Sequence, residues 1–317
     1  MILTIVGLIV SLVLVTVGAD AIVSGASSIA KRFGVSEFVI GLTIVALGTS
    51  APEMVVSFIG AIEGNADISV GNIIGSNIFN VAVILGLSAL IRPIAVTKNN
   101  VRRDIPVNIV VTAMLIVFGI LDNHTLTRLN GAIFLAGFLY YIWYSFRHDD
   151  KAGNGPKEEN PDQTPEKPKA LYVSIPMVIL GLGALIFGGE LFVKEAQTLA
   201  RAIGLSDKVI AITVLAGGTS LPELATSLVA AIKGKGQLAL GNIIGSNVFN
   251  ILLILGGSAL IRPLSTASIN LLDYAVLGGT SLLLMLEAIC GKERRINRFE
   301  GALLFLCGLA YMTYLCL

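Results

Sequence analysis

The feature that most constrains this chain is a series of long apolar runs separated by short polar stretches. A run of about 20 apolar residues is long enough to cross a bilayer as a helix, and a helix keeps its backbone groups hydrogen-bonded in lipid. We therefore predict an all-α polytopic membrane protein. We predict ten transmembrane helices, which cover residues 2–30, 38–62, 68–91, 105–121, 129–146, 171–200, 208–232, 238–261, 270–290 and 299–316.

The composition agrees with a chain embedded in lipid, because only 14% of the residues are charged, whereas soluble domains average about 25%. No basic segment precedes the first apolar run, which favours a membrane span over a cleaved signal peptide. The net charge of +1 indicates no nucleic-acid partner. No cofactor is expected, since the cysteines lack metal-ligand spacing and both histidines fall in loops.

The chain also contains an internal duplication. Residues 18–93 align without gaps with residues 188–263, and the heptapeptide Gly-Asn-Ile-Ile-Gly-Ser-Asn occurs whole at 71–77 and 241–247. The period is far longer than that of a solenoid repeat. A duplicated five-helix module is therefore predicted.

The duplication divides the chain into a first five-helix repeat (1–146), a polar linker (147–169) and a second five-helix repeat (170–317). Because five is odd, the second repeat must cross the membrane in the opposite direction, which is the inverted-repeat plan of secondary transporters. Lysine and arginine gather in the loops after odd-numbered helices, and such loops are cytoplasmic. We predict a multi-pass protein of the cell (plasma) membrane, with both termini outside and the linker cytoplasmic.

One motif places an acidic residue inside an apolar run of each half. It reads Gly-Thr-Ser-Ala-Pro-Glu at 48–53 and Gly-Thr-Ser-Leu-Pro-Glu at 218–223. A carboxylate at membrane depth is costly and is by default a functional hypothesis. The proline removes one helical N–H, so unwinding nearby frees backbone carbonyl groups. The candidate ligands from this motif are the carboxylates of Glu53 and Glu223, the hydroxyls of Ser50 and Ser220, and the carbonyls of Thr49 and Thr219.

For a single copy, the alternative is a structural role, in which the proline only bends the helix and the glutamate is satisfied by neighbouring groups. Two copies in matching positions favour a binding site between the two halves. Ligands that are all oxygen suit hard cations such as Ca²⁺ or Na⁺ and are unsuited to zinc or copper.

The helix after each acidic motif carries a polar stripe. A spacing of four residues puts the members on one helical face, and that face is predicted to point toward Glu53 and Glu223. Direct cation contact is favoured for Ser76, Asn80, Ser246 and Asn250. For Asn72 and Asn242 a ligand role and interhelical hydrogen bonding stay open. Asn77 and Asn247 lie beside the stripe and are candidates to orient it.

Two copies of Gly-Thr-Ser-x-Pro-Glu, each followed by Gly-Asn-x-x-Gly-Ser-Asn, resemble the alpha repeats of the cation/calcium exchanger superfamily, and above all those of prokaryotic sodium/calcium exchangers. The likeness covers nearly the whole chain. It implies an antiporter that exchanges Ca²⁺ for Na⁺ by alternating access. The ligands it implies are Glu53, Glu223, Ser50, Ser220, Ser76, Ser246, Asn80 and Asn250 through their side chains, and Thr49, Thr219, Ala46 and Ala216 through backbone carbonyls.

The chain departs from many relatives, which have Asp at the position of Asn80 or Asn250. Two carboxylates balance one Ca²⁺ or two Na⁺, so the stoichiometry and the choice between Na⁺ and H⁺ as driving ion stay open. A proton-coupled exchanger is therefore one alternative, and a passive cation channel is another. A hydrolase using Ser50 or Ser220 is disfavoured, because neither has a buried His or a Lys nearby. We expect the protein not to be an enzyme, and its expected partners are inorganic cations and the lipid bilayer. The oligomeric state stays open.

Overall fold

The computed structural model describes residues 2–121, 124–149, 168–202, 216–290 and 294–316. Most of the predicted linker and the beginning of the seventh predicted helix, residues 208–215, lie outside these ranges. The helices are α1 (Ile2–Phe33), α2 (Glu37–Thr49), α3 (Ala51–Glu63), α4 (Ala66–Ile91), α5 (Asn100–Leu121), α6 (Arg128–Arg147), α7 (Leu171–Ala202), α8 (Ala216–Thr219), α9 (Leu221–Ile232), α10 (Gly236–Ile261), α11 (Leu271–Cys290) and α12 (Arg298–Cys316).

The fold is that of an all-helical polytopic membrane protein, which confirms the predicted class. Within the described ranges, seven helices are individually long and apolar enough to cross a membrane, and the bent pair α2–α3 makes an eighth. The seven are α1, α4, α5, α6, α7, α10 and α11. Their outer faces carry many exposed leucine, isoleucine, valine and phenylalanine side chains, as expected for a surface that contacts lipid.

The second predicted helix, 38–62, is interrupted in the middle. The axes of α2 and α3 differ in direction by 50°, and Ser50 at the junction has φ −81° and ψ 10°. Pro52 occupies the first turn of α3, where its missing N–H costs no helical hydrogen bond. The proline therefore begins a new helix, and this places the Glu53 side chain at the start of that helix.

The helical backbone that leads into α5 begins at Lys98, seven residues before the predicted position. Thr97 and Asn100 cap its first turn reciprocally, since the Asn100 Oδ1 accepts the Thr97 N–H at 2.8 Å and the Thr97 hydroxyl accepts the Asn100 N–H at 3.0 Å. This pair satisfies donors that a helix end otherwise leaves free. A π-helical turn at Asn100–Asp104 follows.

The first helices of the two halves run antiparallel. A methyl group on Gly18 of α1 would lie 2.8 Å from the Gly181 carbonyl oxygen, and one on Gly25 would lie 2.8 Å from the Ser174 carbonyl oxygen. Residue numbers thus fall along α7 as they rise along α1. By contrast, α2 and α10 run parallel, because Gly241 contacts Phe38 and Gly245 contacts Leu42.

Four two-residue strands join loops of one half to loops of the other: β1 (Ile94–Ala95), β2 (Thr125–Leu126), β3 (Leu264–Ser265) and β4 (Arg295–Ile296). Strand β1 pairs antiparallel with β4, and β2 pairs antiparallel with β3. The offset of 170 residues that aligns 18–93 with 188–263 also relates β1 to β3 and β2 to β4. The two pairs are therefore the same contact made twice, with the roles of the halves exchanged.

The buried apolar residues form two clusters. The larger contains residues of α4, α5, α6, α10, α11 and α12, among them Ile73, Phe134 and Ile243. The smaller contains residues of α1 and α7 packed on α2 and α10, among them Ile22 and Leu185. The pair α1–α7 is therefore a unit that packs beside the main bundle.

Candidate functional site

The two predicted acids lie in the interior of the bundle. Glu53 is in the first turn of α3 and Glu223 in the first turn of α9, and each is only 1% exposed. A helix start carries partial positive charge from its free N–H groups, which favours a carboxylate there. Burial in a low-dielectric interior remains costly for a carboxylate unless hydrogen bonds or a cation compensate it.

Each carboxylate is bound by a serine of the other half. The Ser50 hydroxyl donates to Glu223 Oε1 at 2.9 Å, and the Ser220 hydroxyl donates to Glu53 Oε1 at 3.1 Å. The Ser76 hydroxyl lies 3.4 Å from the same Glu53 oxygen and 3.2 Å from the Ser220 hydroxyl. These crossed contacts bring the two acidic motifs to one place.

Several buried oxygen atoms of this region have no hydrogen-bond partner in the described part of the chain. They are Glu53 Oε2, Glu223 Oε2, Asn80 Oδ1, Asn250 Oδ1 and Ser246 Oγ. A buried acceptor without a partner costs about 1–3 kcal/mol, and more when it is charged. The five atoms belong to the two glutamates and to the polar stripes of the helices that follow them, so they are candidate ligands for a bound species.

Four asparagines, two that end the heptapeptides and two that follow them by three residues, link α4 to α10. The Asn80 amide donates to Asn247 Oδ1 at 3.0 Å, and the Asn250 amide donates to Asn77 Oδ1 at 2.9 Å. The amides of Asn77 and Asn247 donate in turn to each other's backbone carbonyls, both at 3.2 Å. The whole network is buried.

Asn72 and Asn242 bond neighbouring helices. The Asn72 amide lies 3.4 Å from the Glu53 carbonyl oxygen and 3.3 Å from the Ser57 hydroxyl. The Asn242 amide donates to the Ser227 hydroxyl at 3.0 Å, and Asn242 Oδ1 accepts the Thr49 hydroxyl at 3.2 Å. These contacts agree with interhelical hydrogen bonding, one of the two roles that the sequence leaves open.

Ser57 and Ser227 are site residues that the sequence reasoning missed. Each follows its glutamate by four residues, so it lies one turn further along the same helical face. That spacing, repeated in both halves, is a signal that could have found them. Both side chains are buried, at 0% exposure.

The backbone ligands implied by the family resemblance stay predictions. The Ala46 carbonyl accepts the Ser50 N–H at 3.0 Å and lies 3.4 Å from the Thr49 hydroxyl. Ala216 begins the short helix α8 and Thr219 ends it, directly before Ser220. The chain thus carries these residues to the same break as Ser50 and Ser220.

A cavity of about 370 Å³ reaches one side of the site. Asn72 and Ser76 of α4 line it, together with Asp273 of α11 and Tyr311 of α12. The Tyr311 hydroxyl donates to Asp273 at 2.9 Å. Most of the other lining residues are apolar, so Ser76 and Asn72 are polar groups that connect this cavity to the buried carboxylates.

The donor set is rich in neutral oxygens and poor in acids. Among the residues that the structure describes, no group of three or more His, Cys, Asp or Glu side chains could hold a metal ion. The two glutamates with surrounding hydroxyl and amide oxygens form a ligand set for a hard cation that binds without thiolate or imidazole.

The helical fold and this buried oxygen site define a multi-pass membrane transport protein. The chain belongs to the sodium/calcium exchanger protein family, whose sequence pattern matches residues 3–147 and 173–317. This membership confirms the predicted resemblance, and the family is one of transporters rather than of enzymes.

Similar proteins agree with this assignment. CaxA of Alkalimonas amylolytica, provisionally called an antiporter, is 42% identical, and the match covers 96% of each chain. The sodium/calcium exchanger MaX1 of Methanosarcina acetivorans is 34% identical, with 97% of each chain covered. A structure of the sodium-calcium exchanger NCX_Mj, soaked with zero Na⁺ and Ca²⁺, superposes with a TM-score of 0.85 at 36% identity and covers 99% of each chain.

Proposed function

We propose that the protein is a secondary antiporter that exchanges Ca²⁺ for Na⁺ across the membrane by alternating access. The observation that carries this proposal is the set of buried oxygens, without partners among the described residues, on the two glutamates and on the polar stripes of α4 and α10. Glu53 and Glu223 supply two negative charges, which balance one Ca²⁺ or two Na⁺. The two ions compete for the same oxygens, so occupancy by one excludes the other.

The cation ligands in this proposal are the residues that the sequence nominates. Glu53 and Glu223 bridge the cations through Oε2, and Asn80 and Asn250 contribute Oδ1. The hydroxyls of Ser50, Ser220, Ser76 and Ser246 and the carbonyls of Ala46, Thr49, Ala216 and Thr219 complete the site. Because neutral oxygens bind a cation less strongly than carboxylates do, a site made mostly of neutral oxygens suits an ion that must be released after transport.

We also propose ten transmembrane helices in two inverted five-helix repeats, residues 1–146 and 170–317. The antiparallel pair α1–α7 supports the inversion, because the first helices of two inverted repeats run in opposite directions. The reciprocal contacts support it as well: Ser50 to Glu223 with Ser220 to Glu53, and β1–β4 with β2–β3. A two-fold axis makes every such contact occur twice with the partners exchanged.

Alternating access arises in this proposal from movement of α1 and α7 across the bundle. These two helices pack on each other through glycines at Gly18, Gly25 and Gly181, which bring the backbones close. Their apolar contacts with the remaining helices form a separate cluster. The cavity that reaches Ser76 gives the ion a path from one side.

The loop charges support a location in the cell membrane with both termini outside and the 147–169 linker in the cytoplasm. By this orientation α11 begins at the outer face, so the cavity that Asp273 lines opens outward.

The test is radioactive calcium uptake into vesicles loaded with Na⁺. Glu53→Gln or Glu223→Gln should reduce uptake to background, because each removes one of two charges that compensate Ca²⁺. Glu63→Gln is the matched control: Glu63 lies at the exposed end of the same helix as Glu53, and uptake should persist. Near-normal uptake by either site variant would refute the assignment.

The driving ion is determined in the same vesicles. Uptake that requires an outward Na⁺ gradient supports the proposal, whereas uptake that follows a pH gradient without Na⁺ indicates proton coupling. Calcium flux with neither gradient, in step with the calcium gradient alone, indicates a channel. Orientation is checked by labelling a cysteine introduced in the linker from either side, in a variant whose three native cysteines are replaced by alanine.

A further inference from the structure

Four buried asparagines in the centre of the bundle form a hydrogen-bond network whose direction is fixed by the backbone. A carbonyl oxygen accepts hydrogen bonds and cannot donate them. The Asn247 carbonyl therefore requires the amide nitrogen of Asn77, and the Asn77 carbonyl requires the amide nitrogen of Asn247, as both 3.2 Å contacts have it.

The orientation of these two amides sets the orientation of the next two. With its nitrogen committed to a carbonyl, Asn77 turns Oδ1 toward Asn250, and only the nitrogen of the Asn250 amide can pair with it. Asn247 Oδ1 holds the Asn80 nitrogen in the same way at 3.0 Å. A rotated amide at Asn80 or Asn250 would bring two acceptor oxygens together.

The result is that Asn80 and Asn250 each leave one oxygen without a partner in the described chain. Without the neighbouring amides, either side chain could equally present an NH₂ group, which repels a cation. We propose that Asn77 and Asn247 are positioning residues that determine cation affinity: they hold Asn80 and Asn250 with the oxygen, and not the nitrogen, free for the transported ion. This inference rests on the proposed function, since it concerns the same cation site.

The test separates this positioning role from a general packing role. Asn77→Leu frees the Asn250 amide to rotate, while a carboxylate at position 250 offers oxygen in either orientation. We therefore compare Asn77→Leu, Asn250→Asp and the double variant by the Ca²⁺ concentration that gives half-maximal uptake, and by Ca²⁺-induced thermal stabilisation of the purified protein.

In the wild-type background, Asn77→Leu should raise the half-saturating Ca²⁺ concentration by about tenfold or more. With Asp at position 250, the same substitution should change it by less than about threefold. The maximal rate at saturating Ca²⁺ should change less than the affinity. An equal loss in both backgrounds would overturn the proposal.

A matched control removes a buried interhelical asparagine elsewhere. Asn108 of α5 is 1% exposed and its amide donates to the Ser281 hydroxyl of α11 at 3.3 Å. Asn108→Leu should leave the half-saturating Ca²⁺ concentration unchanged, and a shift as large as that of Asn77→Leu would count against a specific role.

A second pair of variants keeps the proposal testable if Asn77→Leu does not fold. The reciprocal cycle uses Asn247→Leu with Asn80→Asp and carries the same expectation. Retained uptake in the Glu53→Gln variant would instead reject the cation site itself, so the two failures are distinguishable.

Discussion

The close approach of α2 and α10 should not tolerate a methyl group at Gly245. A methyl there would lie 2.7 Å from the Leu42 Cα and 2.8 Å from the Ala46 Cβ, and it would also meet the Leu42 carbonyl oxygen. Carbon atoms in contact are normally about 3.5–4.0 Å apart. The two helices must therefore separate by about 1 Å, and two of the three obstacles are backbone atoms that no rotamer change can move.

Overpacking of this kind costs about 1–3 kcal/mol. The displacement also affects the site, because α2 ends at Thr49, whose hydroxyl bonds Asn242 of α10, and Ser50 follows. Ligand distances in metal sites tolerate only about 0.2 Å. Gly245→Ala should thus lower both the stability and the Ca²⁺ affinity of the protein.

The assay is thermal unfolding of the purified protein in detergent, with and without Ca²⁺, together with uptake in vesicles. Gly279→Ala is the control, since Gly279 lies in α11, is exposed, and has no described heavy atom within 4 Å of an added methyl group. Alanine there should be neutral or stabilising by up to about 1 kcal/mol. Equal unfolding temperatures for Gly245→Ala and the wild type would refute the reasoning.

Two further predictions concern hydroxyl groups. Ser50→Ala or Ser220→Ala removes the donor to a glutamate of the other half. The half-saturating Na⁺ and Ca²⁺ concentrations should then rise by about tenfold, since hydrogen bonds to charged groups contribute about 1.5–3 kcal/mol. Thr280→Val loses only two contacts within its own helix and should leave the uptake curve unchanged; a similar shift there would contradict this. Thr127→Ala removes the side chain that caps α6 and accepts the Asn130 N–H, and should lower the free energy of unfolding by about 0.5–2 kcal/mol with unaltered ion affinity; a changed affinity with unchanged thermal stability would oppose this interpretation.

The sequence was sufficient for the helical membrane fold and for nominating the residues that meet at the centre. Glu53 and Glu223 stand out because carboxylates are rare in apolar runs, and the duplication pairs them without any structure. Length and hydropathy likewise predict most helix positions, since lipid leaves a chain few alternatives.

The partners of these residues could not be predicted. Ser50 bonds a glutamate 173 residues away, and no local pattern encodes such a distance. The π-helical turns at Phe79–Leu85 and Asn250–Leu255 are also not predicted when regular α-helices are assumed. They include Asn80 and Asn250, so the direction of these side chains depends on packing that spacing alone does not show.

The direction of an amide group is a further property that the sequence does not contain. Asn77 and Asn247 were candidates to orient the stripe, but the donor and acceptor roles follow only once each is seen against the backbone carbonyl of the other. The backbone carbonyl groups, which every residue has, therefore set the direction of the hydrogen bonds in this network.

The two small strand pairs constrain how such a molecule can open. They tie β1 to β4 and β2 to β3, so the loops of both halves are fastened to each other at two separate places. If one whole half tilted against the other, backbone hydrogen bonds would have to break at one of these places in every cycle. The bundle built from α4, α5, α6, α10, α11 and α12 is therefore suited to remain fixed in the proposed transport cycle, while the smaller α1–α7 unit moves across it.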